Sequence, residues 1–168
     1  TGQAAPVYIL YVTTECNGSD EPFVTTPRTL IVADAHSEGM VVEHFYGLTD
    51  KTYLTNAVTE LAIGPGGVVH HCRIHEEGDA GSHVATMHVA EDRDCRFTSH
   101  NFSLSGRLVR NDITTLLDGE GIESTLNGLF LGSGSEHIDN HTTIEHAQPN
   151  CSSHELYKGV LGGKASGV

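Results

Sequence analysis

The sequence repeats with a period of 27 residues, and this repeat limits the possible folds more than any other feature of the chain. Mostly apolar residues recur at that spacing in three sets: Val41, Val68, Cys95 and Ile122; Phe45, Cys72, Ser99 and Leu126; Ile63, Ala90, Leu117 and Ile144. A fixed period of this size is typical of stacked units that bury their apolar faces against their neighbours. Because turn-forming residues recur at constant offsets, the units are short strands rather than helix pairs. The pattern predicts an all-β fold, a parallel β-helix built as a single-stranded solenoid.

Composition limits the class of protein and its partners. The 168 residues suffice for a single domain spanning 1–168, and 19 glycines suit many tight turns. The net charge is −13 with only 9 Lys and Arg, which argues against nucleic acid, since phosphate binding needs clustered cations. No apolar run is long enough to span a bilayer and no signal peptide is present, so we expect no membrane partner.

The four cysteines predict a reducing environment. Cys16, Cys72, Cys95 and Cys151 form no C-x-x-C pair, and the chain is not a small disulfide-dense scaffold. We expect free thiols in the cytosol, although the even number leaves two disulfides open. Cys72 and Cys95 fall in apolar columns of the repeat and are predicted to be small core residues.

Alternation along a strand assigns side chains to the inner or outer face of the stack. With Phe45 inside, the pattern places Glu43 inside as well, where an unpaired carboxylate would be costly. We therefore expect either a bend in this strand or a buried partner for Glu43. The constant period also predicts that His70 points inward and that His71 and Arg73 point outward.

Histidines supply two sets of candidate metal ligands. His44 and His71 would lie one coil apart, about 4.8 Å, which is near enough to share a metal with a third ligand, but a polar ladder on a solvated face explains them better. The densest group is His146, Cys151 and His154, which are our candidate metal ligands. Their spacing matches no zinc-finger or zinc-ribbon pattern.

Catalytic motifs are not evident, so we expect a protein that is not an enzyme. The sequence contains no G-x-S-x-G elbow, no Walker A loop and no H-E-x-x-H. Residues 64–67 (GPGG) are interpreted as a corner, because no lysine and helix start follow them. Asp112, Asp139 and Glu145 are available as an acid–base set for glycan cleavage, but only their presence supports it. A β-helix enzyme acting on polysaccharide and a His-rich metal-binding module stay open as alternatives.

Several segments resemble a known family. They are TNAVTE (55–60), RFTSHNFSLSGRLVRNDI (96–113), LDGEG (117–121), TLNGLFL (125–131) and residues 137–168, which include D-N-H-T at 139–142 and L-Y-K-G at 156–159. Together they resemble the core of the SufB/SufD family of the SUF iron–sulfur cluster assembly machinery. Residues 101–112 resemble the SufD members of that family rather than the SufB members.

The resemblance implies a right-handed parallel β-helix, in agreement with the stacked fold predicted from the 27-residue repeat. It also implies a scaffold subunit of the bacterial cytoplasm that pairs with a SufB-like homologue through the β-helix. A SufC-like ABC ATPase would bind a C-terminal helical region. No cofactor is expected to be firmly bound, while iron or an Fe–S cluster would be present transiently in the complex.

Two further expectations follow from the family. The chain starts without methionine and stops where the family continues, so we expect a fragment lacking the N-terminal and C-terminal helical regions. An open end of the stack predicts that the isolated chain either self-associates, for example as a homodimer, or is only marginally stable. The D-N-H-T residues Asp139, Asn140, His141 and Thr142 are interpreted as structural residues that cap a turn of a coil.

Overall fold

The computed structural model describes residues 5–15 and 21–168, and within these ranges every regular element is a β-strand. Residues 5–15 and 21–168 contain no helix that could span a bilayer. The strands, in chain order, are β1 (Val7–Thr13), β2 (Phe23–Thr25), β3 (Arg28–Ala33), β4 (Glu38–Gly47), β5 (Tyr53–Ile63), β6 (Val68–Glu76), β7 (Gly81–Glu91), β8 (Arg96–Ser105), β9 (Leu108–Leu117), β10 (Glu123–Gly132), β11 (His137–His146), β12 (Ser152–Leu161) and β13 (Ser166–Gly167).

From β3 onward the strands belong alternately to two parallel sheets, so each complete coil contributes one strand to each sheet. The first sheet has the order β1-β4-β6-β8-β10-β12, and the second has the order β13-β11-β9-β7-β5-β2, with β3 also paired to β5. Parallel neighbours need a long crossover connection, and here the strand of the opposite sheet supplies it. The parallel β-helix predicted from the repeat is therefore confirmed.

The number of residues per coil varies, and this corrects the predicted orientation of several side chains. Partner residues lie 27 positions apart between β8 and β10, 28 between β6 and β8, and 30 between β4 and β6, as in the pairs Arg96–Glu123, Val68–Arg96 and Glu38–Val68. A shift of one residue moves a whole strand's side chains to the opposite face. The predictions for His70, His71 and Arg73 are therefore wrong: His70 is exposed, whereas His71 and Arg73 are buried between the sheets.

The main apolar core lies along one long side of the solenoid, where strands of the second sheet end and strands of the first begin. It consists of Leu61, Ile63, Val69, Met87, Val89, Cys95, Phe97, Ile113, Leu117, Ile122 and Leu126. Burial of each large side chain of this kind stabilises the fold by about 1.5–3 kcal/mol. Cys95 is a core residue as predicted, but the prediction for Cys72 is wrong, because Cys72 is half-buried on the outer side of β6.

The described cysteines are all free thiols, and the corners follow the predicted turn signals. Cys72, Cys95 and Cys151 are unpaired, while Cys16 lies outside the described residues. Residues 64–67 form the turn between β5 and β6, as expected. Gly66 adopts a left-handed conformation with φ of 66°, and its N–H donates to the Arg93 carbonyl of the next coil at 2.9 Å.

Candidate functional site

The other long side of the solenoid buries a group of ionisable side chains that we call the polar interior. It lies where strands of the first sheet end and strands of the second begin, and it comprises Glu43, His71, Arg73, His75, Glu77 and His83. Each of these side chains is at most 2% exposed. Since charged groups are almost never fully buried without partners, this group is the strongest candidate for a functional site.

Glu43 on β4 is the centre of the first hydrogen-bond network. Its Oε2 accepts a hydrogen bond from Arg73 Nη2 at 3.0 Å and from His71 Nε2 at 2.9 Å. Thr59 Oγ1 lies 3.0 Å from both carboxylate oxygens, and Thr29 Oγ1 donates to Oε1 at 3.1 Å. The buried partner expected for Glu43 is therefore present.

The charge on Glu43 is stabilised by these partners. Burial acts to raise its pKa, but the Arg73 guanidinium and the His71 hydrogen bond together hold the pKa well below its usual range. Burial lowers the pKa of His71, so its imidazole is neutral. Nε2 of His71 faces the Glu43 carboxylate, which only accepts hydrogen bonds, so Nε2 carries the proton. Nδ1, which lies 3.2 Å from Ser99 Oγ, is then the acceptor nitrogen.

A second network lies at the corner between β6 and β7. Glu77 Oε2 lies 2.5 Å from His83 Nδ1, and Thr55 Oγ1 donates to Glu77 Oε1 at 2.5 Å. The His75 ring stands edge-on to the His83 ring, with 4.0 Å between their centroids. In the part of the chain that the structure describes, His75, Glu77 and His83 are the one trio of metal-ligand residues whose donor atoms lie within 4.8 Å of one another.

Tyr53 binds the backbone of Glu77 at the same corner, and two glycines leave room for this contact. Tyr53 Oη donates to the Glu77 carbonyl at 2.7 Å. A Cβ atom at Gly47 would clash with both the Glu77 carbonyl and Tyr53 Oη, and one at Gly81 would lie 2.7 Å from Tyr53 Oη. The backbone therefore approaches this hydrogen bond so closely that only glycine fits at positions 47 and 81.

Several buried nitrogens of the polar interior have no hydrogen-bond partner among the described residues. They are both ring nitrogens of His75, Nε2 of His83, and Nε and Nη1 of Arg73. A buried donor or acceptor that is left unsatisfied costs about 1–3 kcal/mol. In native proteins such groups usually face an ordered water, an ion or a functional ligand.

Burial also sets the protonation of the second network. It lowers the pKa of His75 well below its usual range and that of His83 to about 3. It raises the pKa of Glu77 to about 7, against an opposing hydrogen bond from Thr55. Both imidazoles are therefore neutral near pH 7, which is the form that binds metals.

The predicted metal candidates lie elsewhere, near the end of the chain. Nε2 of His146 is 3.1 Å from Ser153 Oγ, and Cys151 Sγ donates to the Gly119 carbonyl at 3.0 Å. His154 is exposed on β12. The structure therefore gives each of these residues a separate environment, and metal binding by them stays a prediction.

His44 and His71 do not form the shared site that a constant period predicts. His44 lies beside Ile74 in the register, and its Nε2 is 2.8 Å from Glu76 Oε2 on the outer side of the sheet. His71 points into the polar interior instead.

The D-N-H-T residues lie in the middle of β11, so the interpretation of a turn cap is wrong. Asp139 pairs with Arg110, and Asn140 Oδ1 accepts a hydrogen bond from Asn111 Nδ2 at 3.1 Å. Arg110 also holds Asp112 through two hydrogen bonds of 2.8 Å. These side chains join adjacent coils, and two of the three acids considered for glycan cleavage are engaged by one arginine.

Sequence reasoning missed the trio of His75, Glu77 and His83, although one signal was present. Residues 71, 73, 75 and 77 alternate along the strand and therefore share a face. With the observed register, Arg73 lies beside Glu43, so residues 71, 73, 75 and 77 point into the interior as Glu43 does. The pattern lacked the register of this strand and did not show that His83 on β7 converges with this set across the corner.

The fold and the site define the class of protein: a parallel solenoid of two sheets with ionisable side chains buried inside it. The family described as "SUF system FeS cluster assembly, SufBD core domain" matches residues 14–168. The chain therefore belongs to the SufBD family of iron–sulfur cluster assembly proteins, which confirms the resemblance found in its motifs.

Curated relatives agree with this assignment. The iron–sulfur cluster assembly protein SufD of Escherichia coli K12 is 26% identical over 165 residues, which cover 98% of this chain and 39% of the relative. A SufBD family protein of Synechocystis is 23% identical over 172 residues, covering 98% of this chain and 37% of the relative. A SufBD family protein of Mycobacterium leprae is 30% identical over 81 residues, covering 48% and 21%. The chain thus spans about two-fifths of the length of the first two relatives.

Proposed function

We propose that the protein containing this chain is a SufD-like scaffold subunit of a SUF complex in the cytoplasm and is not itself an enzyme. The observation that carries the proposal is the family match over residues 14–168, together with the similarity to E. coli SufD over 98% of the chain. In this proposal iron and the nascent cluster are cargo of the complex rather than resident cofactors of this chain.

The internal construction of the solenoid supports a scaffold role. Side chains join successive coils at several levels, including the Glu43–Arg73 pair inside and the Arg110–Asp139 pair outside. Such links between neighbouring units stiffen a stacked fold, in which each coil contacts only its neighbours. A stiff body with two broad sheets offers surfaces on which a homologous subunit can pair, and it lacks the mobility that a closing catalytic cleft needs.

The proposed partners are a SufB-like homologue and a SufC-like ABC ATPase. The SufB-like protein would pair with the β-helix, and the ATPase would bind a region outside residues 1–168. ATP hydrolysis would then belong to the partner, so the full-length protein alone should hydrolyse no ATP.

Co-purification tests this proposal. The tagged full-length protein is co-expressed with the candidate SufB-like and SufC-like proteins of the same organism, and chain 1–168 is tagged in parallel. We expect a ternary complex with the full-length protein and no ATPase subunit with chain 1–168. Recovery of neither partner by the full-length protein would contradict the scaffold role.

A further inference from the structure

We propose that His75, Glu77 and His83 bind one divalent first-row transition metal ion inside the solenoid. This inference does not depend on the proposed scaffold role. Two neutral imidazoles and one carboxylate are a donor set that suits Zn²⁺ and Fe²⁺, whereas Mg²⁺ and Ca²⁺ prefer oxygen ligands alone.

The distances allow the three side chains to close on one ion. Their donor atoms already lie within 4.8 Å of one another. Metal–donor bonds of about 2.0–2.2 Å hold two donors at most about 4.4 Å apart. Glu77 Oε2 and His83 Nδ1 lie 2.5 Å apart, so binding one ion requires the three side chains to readjust around it.

Unpartnered nitrogens supply an independent argument for a ligand at this position. Nδ1 and Nε2 of His75 are buried without a hydrogen bond, and so is Nε2 of His83. The two rings are at most 1% exposed, so bulk water does not satisfy them. Because a neutral imidazole carries one lone pair, a metal ion would satisfy one nitrogen of His75, and also Nε2 of His83, whose Nδ1 faces Glu77.

The surrounding groups orient the donors as outer-shell residues do in known metal sites. Thr55 Oγ1 donates to Glu77 Oε1, which fixes the carboxylate and leaves Oε2 directed at His83. Tyr53 holds the Glu77 backbone. Such hydrogen bonds typically contribute 10–100-fold to metal affinity.

The nearby positive charge of Arg73 is balanced. Its Nη2 is 3.0 Å from Glu43 Oε2, so the guanidinium and the carboxylate form a neutral pair. The Phe45 ring contacts this pair and the trio, since its centroid lies 6.0 Å from the Arg73 guanidinium carbon and 4.7 Å from the His83 ring. Arg73 therefore adds no uncompensated positive charge next to the trio, and the bound ion would displace the proton that Glu77 holds near neutral pH.

An acidic surface cleft lies beside the trio. Glu77 lines a surface cleft together with Gly47, Asp50, Gly78 and Asp79. Both aspartates are exposed at its rim. Carboxylates around a cleft raise the local concentration of cations, and the net charge of −13 acts in the same direction.

Metal titration of the full-length protein tests the proposal. The protein is stripped with a chelator and titrated with Co²⁺, whose visible absorption reports nitrogen and carboxylate ligation, and then with Zn²⁺ and, without oxygen, Fe²⁺. We expect one strongly bound equivalent in the wild type. The variants His75→Phe and Glu77→Gln should each weaken binding at least about 10-fold. The matched control, His70→Ala with His88→Ala, removes two exposed histidines outside the trio and should bind as the wild type does.

Three results would overturn the proposal. The first is no Co²⁺ absorption in the wild type. The second is undiminished binding in both trio variants. The third is loss of binding in the His70/His88 control. Circular dichroism checks that each variant is folded. If His75→Phe does not fold, the test rests on Glu77→Gln, which keeps the shape of the side chain. Zn²⁺ should also raise the melting temperature of the wild type but not that of Glu77→Gln, because only an ion bound to the native state stabilises it.

Discussion

Replacing Glu43 by glutamine should destabilise the fold strongly, although it changes a single atom. The substitution removes the negative charge that Arg73 Nη2 contacts at 3.0 Å in a fully buried site. Two other nitrogens of that guanidinium already have no hydrogen-bond partner among the described residues. Removing one member of a buried ion pair costs about 3–5 kcal/mol, since the other charge is left uncompensated.

Urea denaturation of chain 1–168, followed by circular dichroism at pH 7, measures this loss. The double variant Glu43→Gln with Arg73→Met should recover most of it, because replacing both charges is often neutral or stabilising. Glu38→Gln on the same strand is the matched control: Glu38 is exposed, and its loss should change stability by no more than about 0.5 kcal/mol. If Glu43→Gln is as mild as Glu38→Gln, the buried pair does not stabilise the fold as argued.

The pH dependence provides a second check on the same pair. The folded pKa of Glu43 is depressed below its ordinary value of 4.5, so its contribution to stability is fully present above about pH 4.5. The contribution is lost as the pH falls towards the folded pKa. The wild type should therefore lose stability below pH 4.5 more steeply than Glu43→Gln, and equal slopes would refute the assignment.

Two further substitutions test the interior. Burial raises the pKa of Glu91 from 4.5 to about 7, so its cost to stability grows from zero below pH 4.5 to about 3 kcal/mol above pH 7. Glu91→Gln should flatten that part of the pH–stability curve measured by urea denaturation, and an unchanged curve would contradict it. Gly47→Ala should cost at least about 1–3 kcal/mol in the same assay, since its Cβ clashes with the Glu77 carbonyl and Tyr53 Oη. Gly162→Ala, whose Cβ would have no neighbour closer than 3.9 Å, should be nearly neutral, and equal losses in the two variants would refute the packing argument.

The stacked fold could be predicted because its signals are local and repeated. Apolar residues alternate with polar ones in each strand, and turn formers recur after them, which is enough to predict parallel coils. The inward position of Glu43 and its need for a partner followed from the same alternation. The identity of the partners did not, because His71 and Arg73 lie on the next coil and their face depends on the register.

The register depends on the corners, whose lengths the strand pattern does not determine. The step of 30 residues between β4 and β6 exceeds the predicted period of 27 by three, an odd number, which reverses the predicted faces of β6. The trio of His75, Glu77 and His83 needs a further condition, since it joins the end of β6 to the start of β7 across a corner. A one-dimensional pattern does not show which side chains converge across such a turn.

Iron–sulfur cluster supply in cells that lack the full-length protein tests the central claim most directly. The gene is deleted in its own organism, and the activity of an Fe–S-dependent dehydratase is measured per amount of its polypeptide, with and without an iron chelator. The account predicts a several-fold loss of activity, strongest under chelation, that the wild-type gene restores. Full activity in the deletion strain under both conditions would contradict a role in cluster assembly.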